Sequence, residues 1–255
     1  MIEEKEIKVS KTDPDSGYMQ REGKPEGFYY LDHRTVDKKH NIITDAHVTA
    51  GNVHDSIPYI ERLERQIEEF GFQVEAVALD SGYLTAPICK ALHDKEVFAV
   101  IAHRRFHSTR GLMPKSKFKY NGELGCYICP KGQMLKYRTT SREGYQEYIS
   151  DARICKSCPR LAQCTRSQNC QKVITRHVWE DSKEWVRANR LTEAGDELYH
   201  MRHQTIERSF ADSKQLHGLR YCRFRGREHV QEQVLLTAAC QNMKKIATIL
   251  ARSAG

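Results

Sequence analysis

Tyr199–Gly226 reads YHMRHQTIERSFADSKQLHGLRYCRFRG, and with ALDSGY at residues 78–83 it decides how the rest of the chain is read. Glu, Leu, Met, Gln and Lys favour a helix over 193–217, in which steps of three or four residues align Tyr199, His203, Glu207, Phe210 and Lys214. A helix built only for packing would carry Leu or Ile along that stripe. A carboxylate flanked by His203, Arg208 and Lys214 points instead to metal or phosphate chemistry. The competing reading is a solvated, salt-bridged face. Asp80 ends the apolar run VEAVALD and is followed by a Ser-Gly-Tyr turn, which places a second carboxylate at a strand tip.

These residues resemble the end of the catalytic domain of DDE transposases from bacterial insertion sequences. The family signature is a Tyr, two residues, Arg, a short gap, Glu, six residues and Lys; Tyr199, Arg202, Glu207 and Lys214 match it. Four residues separate Arg202 from Glu207, one more than in the broad signature, so either Arg202 or His203 takes the place of the family's Arg. The resemblance runs over roughly residues 5 to 250. It implies an α/β, ribonuclease H-like (retroviral-integrase-like) mixed sheet flanked by helices, with Asp80 as the second acidic residue and Glu207 as the last. It also implies that Lys214 and Arg202 or His203 contact DNA or orient phosphate, with Tyr199 packed nearby.

The chain has 255 residues, enough for one large domain or a domain with an insertion. Its formal charge of +8 suits a polyanionic partner, because Lys and Arg near phosphates release condensed counterions. No apolar run approaches the roughly 20 residues needed to cross a bilayer, and MIEEKEIKVS is not a signal peptide. These features place the protein in the cytoplasm, where its nine cysteines read as metal ligands or buried thiols rather than disulfides.

Residues 1–26 read as a loose lead-in. GFYYLDHRTVD and NIITDAHVTAG form a hairpin around Lys38, Lys39 and His40. Asp55 or Ser56 caps a helix that carries Ile57, Ile60, Leu63, Ile67 and Phe70 and stops at Gly71. A buried strand VEAVALD, a short helix at APICKALHDKE and a strand VFAVIAH follow, which implies a parallel portion of the sheet. The catalytic domain accordingly spans 27–104 and 179–252, with a cysteine-rich insertion at 105–178. A final helix from about Val230 to Ala251 has Val234, Leu235, Ala238, Ile246 and Ile249 as its apolar face, against the core or a partner.

In the insertion, Cys155-Lys-Ser-Cys158 places two thiolates on one turn, Cys164 lies six residues on, and Cys129 or Cys126 returns from CYICPKG. Four thiolates at about 2.3 Å from a tetrahedral Zn²⁺ make a closed structural site. Transposases with such an insertion show a similar cysteine pattern, which by resemblance selects Cys129, Cys155, Cys158 and Cys164 as a zinc-ribbon-like ligand set. Cys126 is the reserve ligand and Cys170 a weaker one; Cys89, Cys222 and Cys240 read as small core residues.

DNA cleavage and joining needs an activated water or 3′-hydroxyl and a stabilised leaving oxygen, which two Mg²⁺ ions about 3.5 to 4 Å apart provide. Such ions want carboxylate oxygens, of which Asp80 and Glu207 supply two. The third is missing. The family's first Asp lies on a first strand of the type apolar-apolar-Asp-Gly-Thr, and no such run occurs; Asp13, Asp15, Asp32, Asp37, Asp45 and Asp55 read as structural. The chain resembles the C-terminal part of a transposase without its first catalytic strand, and is expected to be inactive alone. Downstream, Arg220, Arg223, Arg225 and Arg227 alternate with Tyr221 and Phe224, a pattern suited to the DNA backbone, with packing as the competitor. By resemblance the intact enzyme binds double-stranded DNA at insertion-sequence ends, as a homodimer on paired ends. The alternatives are a non-catalytic zinc-containing DNA-binding protein and a metal-dependent nuclease.

Overall fold

The structure is a computed structural model that describes residues 8–21, 23, 25–103 and 111–253. The first residues of the expected insertion, 104–110, lie outside the described set. The chain divides into two compact units, Met1–Ala102 with Val186–Gly255, and His103–Trp185. No helix among the described residues is long and apolar enough to cross a membrane.

In the first unit, β1 (Gly17–Met19) pairs antiparallel with the start of β2 (Gly27–Val36), which pairs with β3 (Ile43–Ala50) from Tyr30↔Ala50 to Val36↔Ile43. The hairpin closes because the Asp37 carboxylate accepts from the backbone N–H of His40 (2.7 Å) and Ile42 (2.5 Å), while Asn41 takes the left-handed conformation at φ 58°. The described part of the lead-in is bonded to the rest of its unit. Tyr30 donates to Asp13 Oδ1 at 2.8 Å, and Asp13 and Asp15 accept from the backbone N–H of Gly226 and Arg227.

Helix α1 (Tyr59–Phe70) starts at Pro58 without a side-chain cap, so neither Asp55 nor Ser56 performs the expected capping; Gly71, at φ 65°, ends it as expected. Strand β4 (Ala76–Leu79), helix α2 (Ala86–Asp94) and strand β5 (Phe98–Ile101) form a parallel pair with a helical crossover. The three-stranded β1-β2-β3 sheet and the β4-β5 pair are separate sheets, where the sequence suggested one mixed sheet. Among the described residues no strand bridges β2 and β4. The consequence is visible in burial: Ala99, Val100 and Ile101 of β5 are fully buried, whereas the apolar residues of β4 are half-exposed or exposed despite their buried-looking sequence.

The second unit is a five-stranded antiparallel sheet in the order β10-β9-β8-β7-β6. Its strands are β6 (Lys119–Asn121), β7 (Cys126–Ile128), β8 (Met134–Thr140), β9 (Tyr145–Ser150) and, after the short helices α3 (Ala152–Lys156) and α4 (Leu161–Cys164), β10 (Val173–His177). Phe118, Tyr127, Leu135, Tyr148 and Ile174 form its core.

Helix α5 (Glu180–Arg190) is followed by α6 (Glu193–Arg202), a π-helical turn at His203–Glu207 and α7 (Arg208–Leu216). The expected continuous helix is therefore interrupted. Helix α8 (Arg227–Ser253) lies against β3, where Val230, Val234 and Ala238 meet Ile43, Ala46 and Val48. Its amides also satisfy the strand's backbone. Gln231 accepts from Val48 N–H (2.7 Å) and donates to Ala46 C=O (2.9 Å), and Asn242 bonds both backbone groups of Ile43 at 2.8 Å. Eleven residues of helix rise about 16 Å, which matches the roughly 17 Å of strand from Ile43 to Val48.

Candidate active site

Asp80 sits at the C-terminal end of β4, where its carboxylate accepts from the Ser81 N–H at 2.6 Å and opens the short 3₁₀ turn Ser81–Tyr83. The strand ends there because the acidic side chain satisfies the first free donor of the turn. Tyr83 packs edge-on against Tyr59 with ring centroids 5.2 Å apart. Burial pushes the Tyr83 hydroxyl up to about 12, reinforced by the carboxylates of Asp55 and Asp80 and opposed by Arg202. One tyrosine thus lies within electrostatic reach of the tip of β4, the turn between β3 and α1 and the end of α6.

Asp55, read from the sequence as structural, lies beside the Asp80 turn. A Cβ on Gly82 would lie 3.9 Å from Asp55 Oδ2 and from His54 Cε1, which places the Asp55 carboxylate against the Asp80 turn. His33 Nδ1 lies 3.9 Å from Asp55 Oδ1, and His33 Nε2 lies 2.8 Å from Thr49 Oγ1. No spacing rule could reveal this proximity, because β3 and β4 are brought together through the α1 connection. The other acidic residues read as structural have structural partners: Asp32 pairs with Arg34 at 2.6 Å, Asp45 with Arg62, Asp37 with its turn, and Asp13 and Asp15 with the α8 entry.

Glu207 closes the π turn. Its Oε2 lies 2.6 Å from His203 Nδ1, and both side chains are exposed. Arg202 donates to Tyr199 Oη at 3.0 Å, and the guanidinium groups of Arg190 and Arg202 lie 4.3 and 5.2 Å from the Tyr199 ring centre. The π turn bears directly on the irregular spacing, since a turn closed by i→i+5 bonds absorbs one extra residue without rotating the helix that follows. Arg202 and Glu207 are five residues apart, one such turn. Lys214 is exposed on α7 and faces Asp32, whose carboxyl is pushed up by burial against the opposing pull of Arg34 and Lys214. Beneath it Arg34 donates to Ser213 Oγ (2.5 Å) and Ser209 Oγ (3.3 Å), and Gln241 closes the network on Ser209 and Ser213. Among the described residues, no group of three or more His, Cys, Asp or Glu side chains is arranged to hold a metal ion.

Arg220, Arg223 and Arg225 are exposed, as are the rings of Tyr221 (75 %) and Phe224 (52 %). In the second unit Cys129, Cys155, Cys158 and Cys164 line one cavity of about 50 Å³ with Met113, Phe118, Leu135 and Leu161. Burial pushes the Cys164 thiol up, helped by Cys155, Cys129 and Cys158. Lys131 N–H points at Cys129 Sγ at 3.3 Å, a knuckle-type contact. Cys126 is buried on β7 away from this cavity, and Cys170 makes a weak local contact to Gln168 C=O. Cys89 is a core residue as expected, but Cys222 and Cys240 are exposed, because their neighbours on the Arg-rich loop and on α8 face solvent.

No curated protein and no solved structure matches the chain significantly. A family model described as a transposase DDE domain matches residues 128–247, a span that contains the four cysteines, Tyr199, Arg202, Glu207, Lys214 and most of α8, and begins beyond Asp80. Residues 128–247, which include the residues around Glu207, thus match the transposase DDE domain, the family that their spacing resembles.

Proposed function

We propose that this chain provides part of a ribonuclease H-like phosphoryl-transfer site, with Asp80 and Glu207 as metal-ligating carboxylates and DNA as substrate. The observation that carries the reading is the meeting of Asp80, Asp55 and Arg202 around Tyr83, with Glu207 one π turn beyond Arg202. The donor set fits hard divalent cations in kind, since both carboxylates are held by single local hydrogen bonds that leave other oxygen lone pairs free. Bound Mg²⁺ would supply an activated water and charge neutralisation at the leaving oxygen. The protein's own contributions are distinct. Arg202, braced on Tyr199, orients a phosphate; His203 holds Glu207; Lys214 and the exposed Arg220, Arg223 and Arg225 bind the DNA backbone. Arg202, rather than His203, takes the family Arg role, because the π turn absorbs the extra residue.

Asp80, Glu207 and the nearby Asp55 are not arranged as one metal-holding group among the described residues, and no apolar-apolar-Asp-Gly-Thr run that would supply the family's first Asp occurs in the sequence. The chain alone is therefore inactive. Incubated with Mg²⁺ and its element's ends, the purified chain should give no cleavage; Mg²⁺-dependent cleavage that Asp80→Ala abolishes would overturn the inactivity. Cys129, Cys155, Cys158 and Cys164 are not arranged as a ready metal-holding group among the described residues, but all four line one small cavity beside the β8–β9 core, and that shared space is what supports the reading of a structural Zn²⁺ there. Reduced, carefully purified protein should carry close to one equivalent of Zn²⁺, and less than about half an equivalent would refute the site.

A further inference from the structure

Helix α8 begins at Arg227, and the residue before it, Gly226, has no side chain with which to cap the helix. The donors at that end are met from the far end of the chain. Gly226 N–H donates to Asp13 Oδ1 at 3.2 Å and Arg227 N–H to Asp15 Oδ2 at 3.1 Å, acceptors 213 and 212 residues away. Asp13 Oδ1 also accepts from the Tyr30 hydroxyl at 2.8 Å, and burial pushes that hydroxyl up, reinforced by Asp13, Asp15 and Cys222. The acidic turn is itself fixed. Ser10 Oγ accepts from Asp13 N–H (3.2 Å), and Asp13 C=O accepts from Ser16 N–H (3.1 Å) and the Ser16 hydroxyl (2.6 Å). Carboxylates are favourable at the positive end of a helix, yet these two stand beside Arg220, Arg223, Arg225 and Arg227, where negative charge opposes DNA binding.

The segment between α7 and α8 is held by its backbone, while residues 220–225 are all exposed. At one end Leu219 packs against the core between β3 and α8, and its N–H donates to Ser213 C=O at 3.0 Å. In the middle Gln233 of α8 accepts from Arg223 N–H (3.0 Å) and donates to Tyr221 C=O (3.2 Å). At the other end stand Asp13 and Asp15. We propose that Asp13 and Asp15 are positioning residues for DNA binding: they clasp the outlet of this segment so that Arg220, Arg223 and Arg225 are presented together to the phosphate backbone. The inference rests on the assignment of those arginines to DNA made above. Two features favour a clasp over helix capping alone. Asp13 bonds the N–H of the peptide that joins Arg225 to Gly226, which belongs to the segment rather than to the helix ladder. Both carboxylates direct their bonds to backbone N–H groups and the Tyr30 hydroxyl, which leaves the guanidinium groups to meet a ligand. Ordering the backbone in advance removes a conformational cost that binding would otherwise bear.

The test compares two double substitutions that remove the same two charges. Asp13→Asn with Asp15→Asn keeps an oxygen that can accept from Gly226 and Arg227; Asp13→Ala with Asp15→Ala does not. Binding of the full chain to a labelled DNA duplex of unrelated sequence is read by anisotropy over a salt series. The alanine protein should bind about 10-fold more weakly than the asparagine protein, the effect of one or two lost hydrogen bonds. Its slope of log affinity against log salt should be shallower by about 0.9 for each arginine that no longer reaches a phosphate. The asparagine protein should bind at least as tightly as the wild type, because it has lost negative charge but not the clasp. Tryptic nicking between Arg220 and Arg227, located by mass spectrometry, should be several-fold faster in the alanine protein alone. Should the double alanine protein fail to fold, Asp15→Ala against Asp15→Asn makes the same comparison. Equal affinities in the folded alanine and asparagine proteins overturn the proposal, and so does an alanine protein that binds more tightly than the wild type, which would make the carboxylates a screen against DNA. An Arg223→Ala, Arg225→Ala protein that binds as the wild type does removes the arginines from DNA and the clasp's role with them. A loss in that protein, with equal binding by the alanine and asparagine proteins, removes the clasp alone.

Discussion

Gly195 shows how much a single position can depend on its surroundings. It lies in the first turn of α6, where its N–H donates to the Thr192 cap at 3.0 Å, and a Cβ there would collide with the backbone oxygen of Asn189. Helix propensity alone predicts that Gly195→Ala gains up to about 1 kcal/mol. The backbone collision should reverse the sign, for a net loss on the order of 1–3 kcal/mol measured by chemical denaturation. His33 and His47, directly opposite in the β2–β3 register, make a second residue-scale prediction. Burial pushes both imidazoles down; the nearby Asp55 opposes this at His33, while Arg62 reinforces it at His47. Their folded pKa values lie below the unfolded value near 6.5, so the unfolded chain binds more protons in that range. Stability is therefore fully present above about pH 6.5 and falls as the pH drops below it. Melting temperatures measured from pH 7 to pH 5 should decline, and the decline should be shallower in His33→Gln. Asp80 and Glu207 were legible because each stands out against its local sequence. Asp55 was not, because only folding brings the turn after β3 to the tip of β4.

Elements carry the next level of information, and the π turn at His203–Glu207 is the clearest case. A one-residue excess inside a helix must either rotate everything downstream by about 100° or be absorbed locally. Here it is absorbed, so Ser209 and Ser213 still meet Arg34 and Gln241. Deleting the exposed Gln204 should convert the turn to regular α-helix and leave the melting temperature nearly unchanged. Deleting Ala211 should rotate Ser213 off the Arg34 network and destabilise the unit strongly. Thermal melts of the two deletions distinguish absorbed from propagated irregularity. The edge of β3 supplies a separate prediction. Gln231→Leu leaves Val48 N–H and Ala46 C=O without partners and should cost about 1–3 kcal/mol. Asn242→Leu should behave alike, and the two losses should add, since the side chains act on separate stretches of strand.

At the scale of the whole molecule, charge is divided unevenly between the units. Residues 103–185 hold 17 Lys and Arg against 7 Asp and Glu, a net +10, leaving 24 basic and 26 acidic residues elsewhere, a net −2. The overall +8 therefore resides in the cysteine-rich unit, with a local basic segment at Arg220–Arg227. Binding to DNA of unrelated sequence should weaken as salt rises. Replacing Arg223 and Arg225 by Ala should make the slope of log affinity against log salt shallower by about 1.8, if both contact phosphates. An unchanged slope in filter binding or anisotropy would remove these arginines from the interface.

The sequence by itself determined the order of the main strands and helices, the cysteine spacing and the resemblance to the transposase family, because these are encoded in local composition and short intervals. Only the tertiary structure decided that the strands form separate sheets, that Asp55 joins the Asp80 turn, that Lys214 faces Asp32 and that Asp13 and Asp15 bond the entry to α8. The physical reason is common to all four. Pairing, proximity and burial depend on which distant segments come together, and a sequence interval records neither the partner nor its absence.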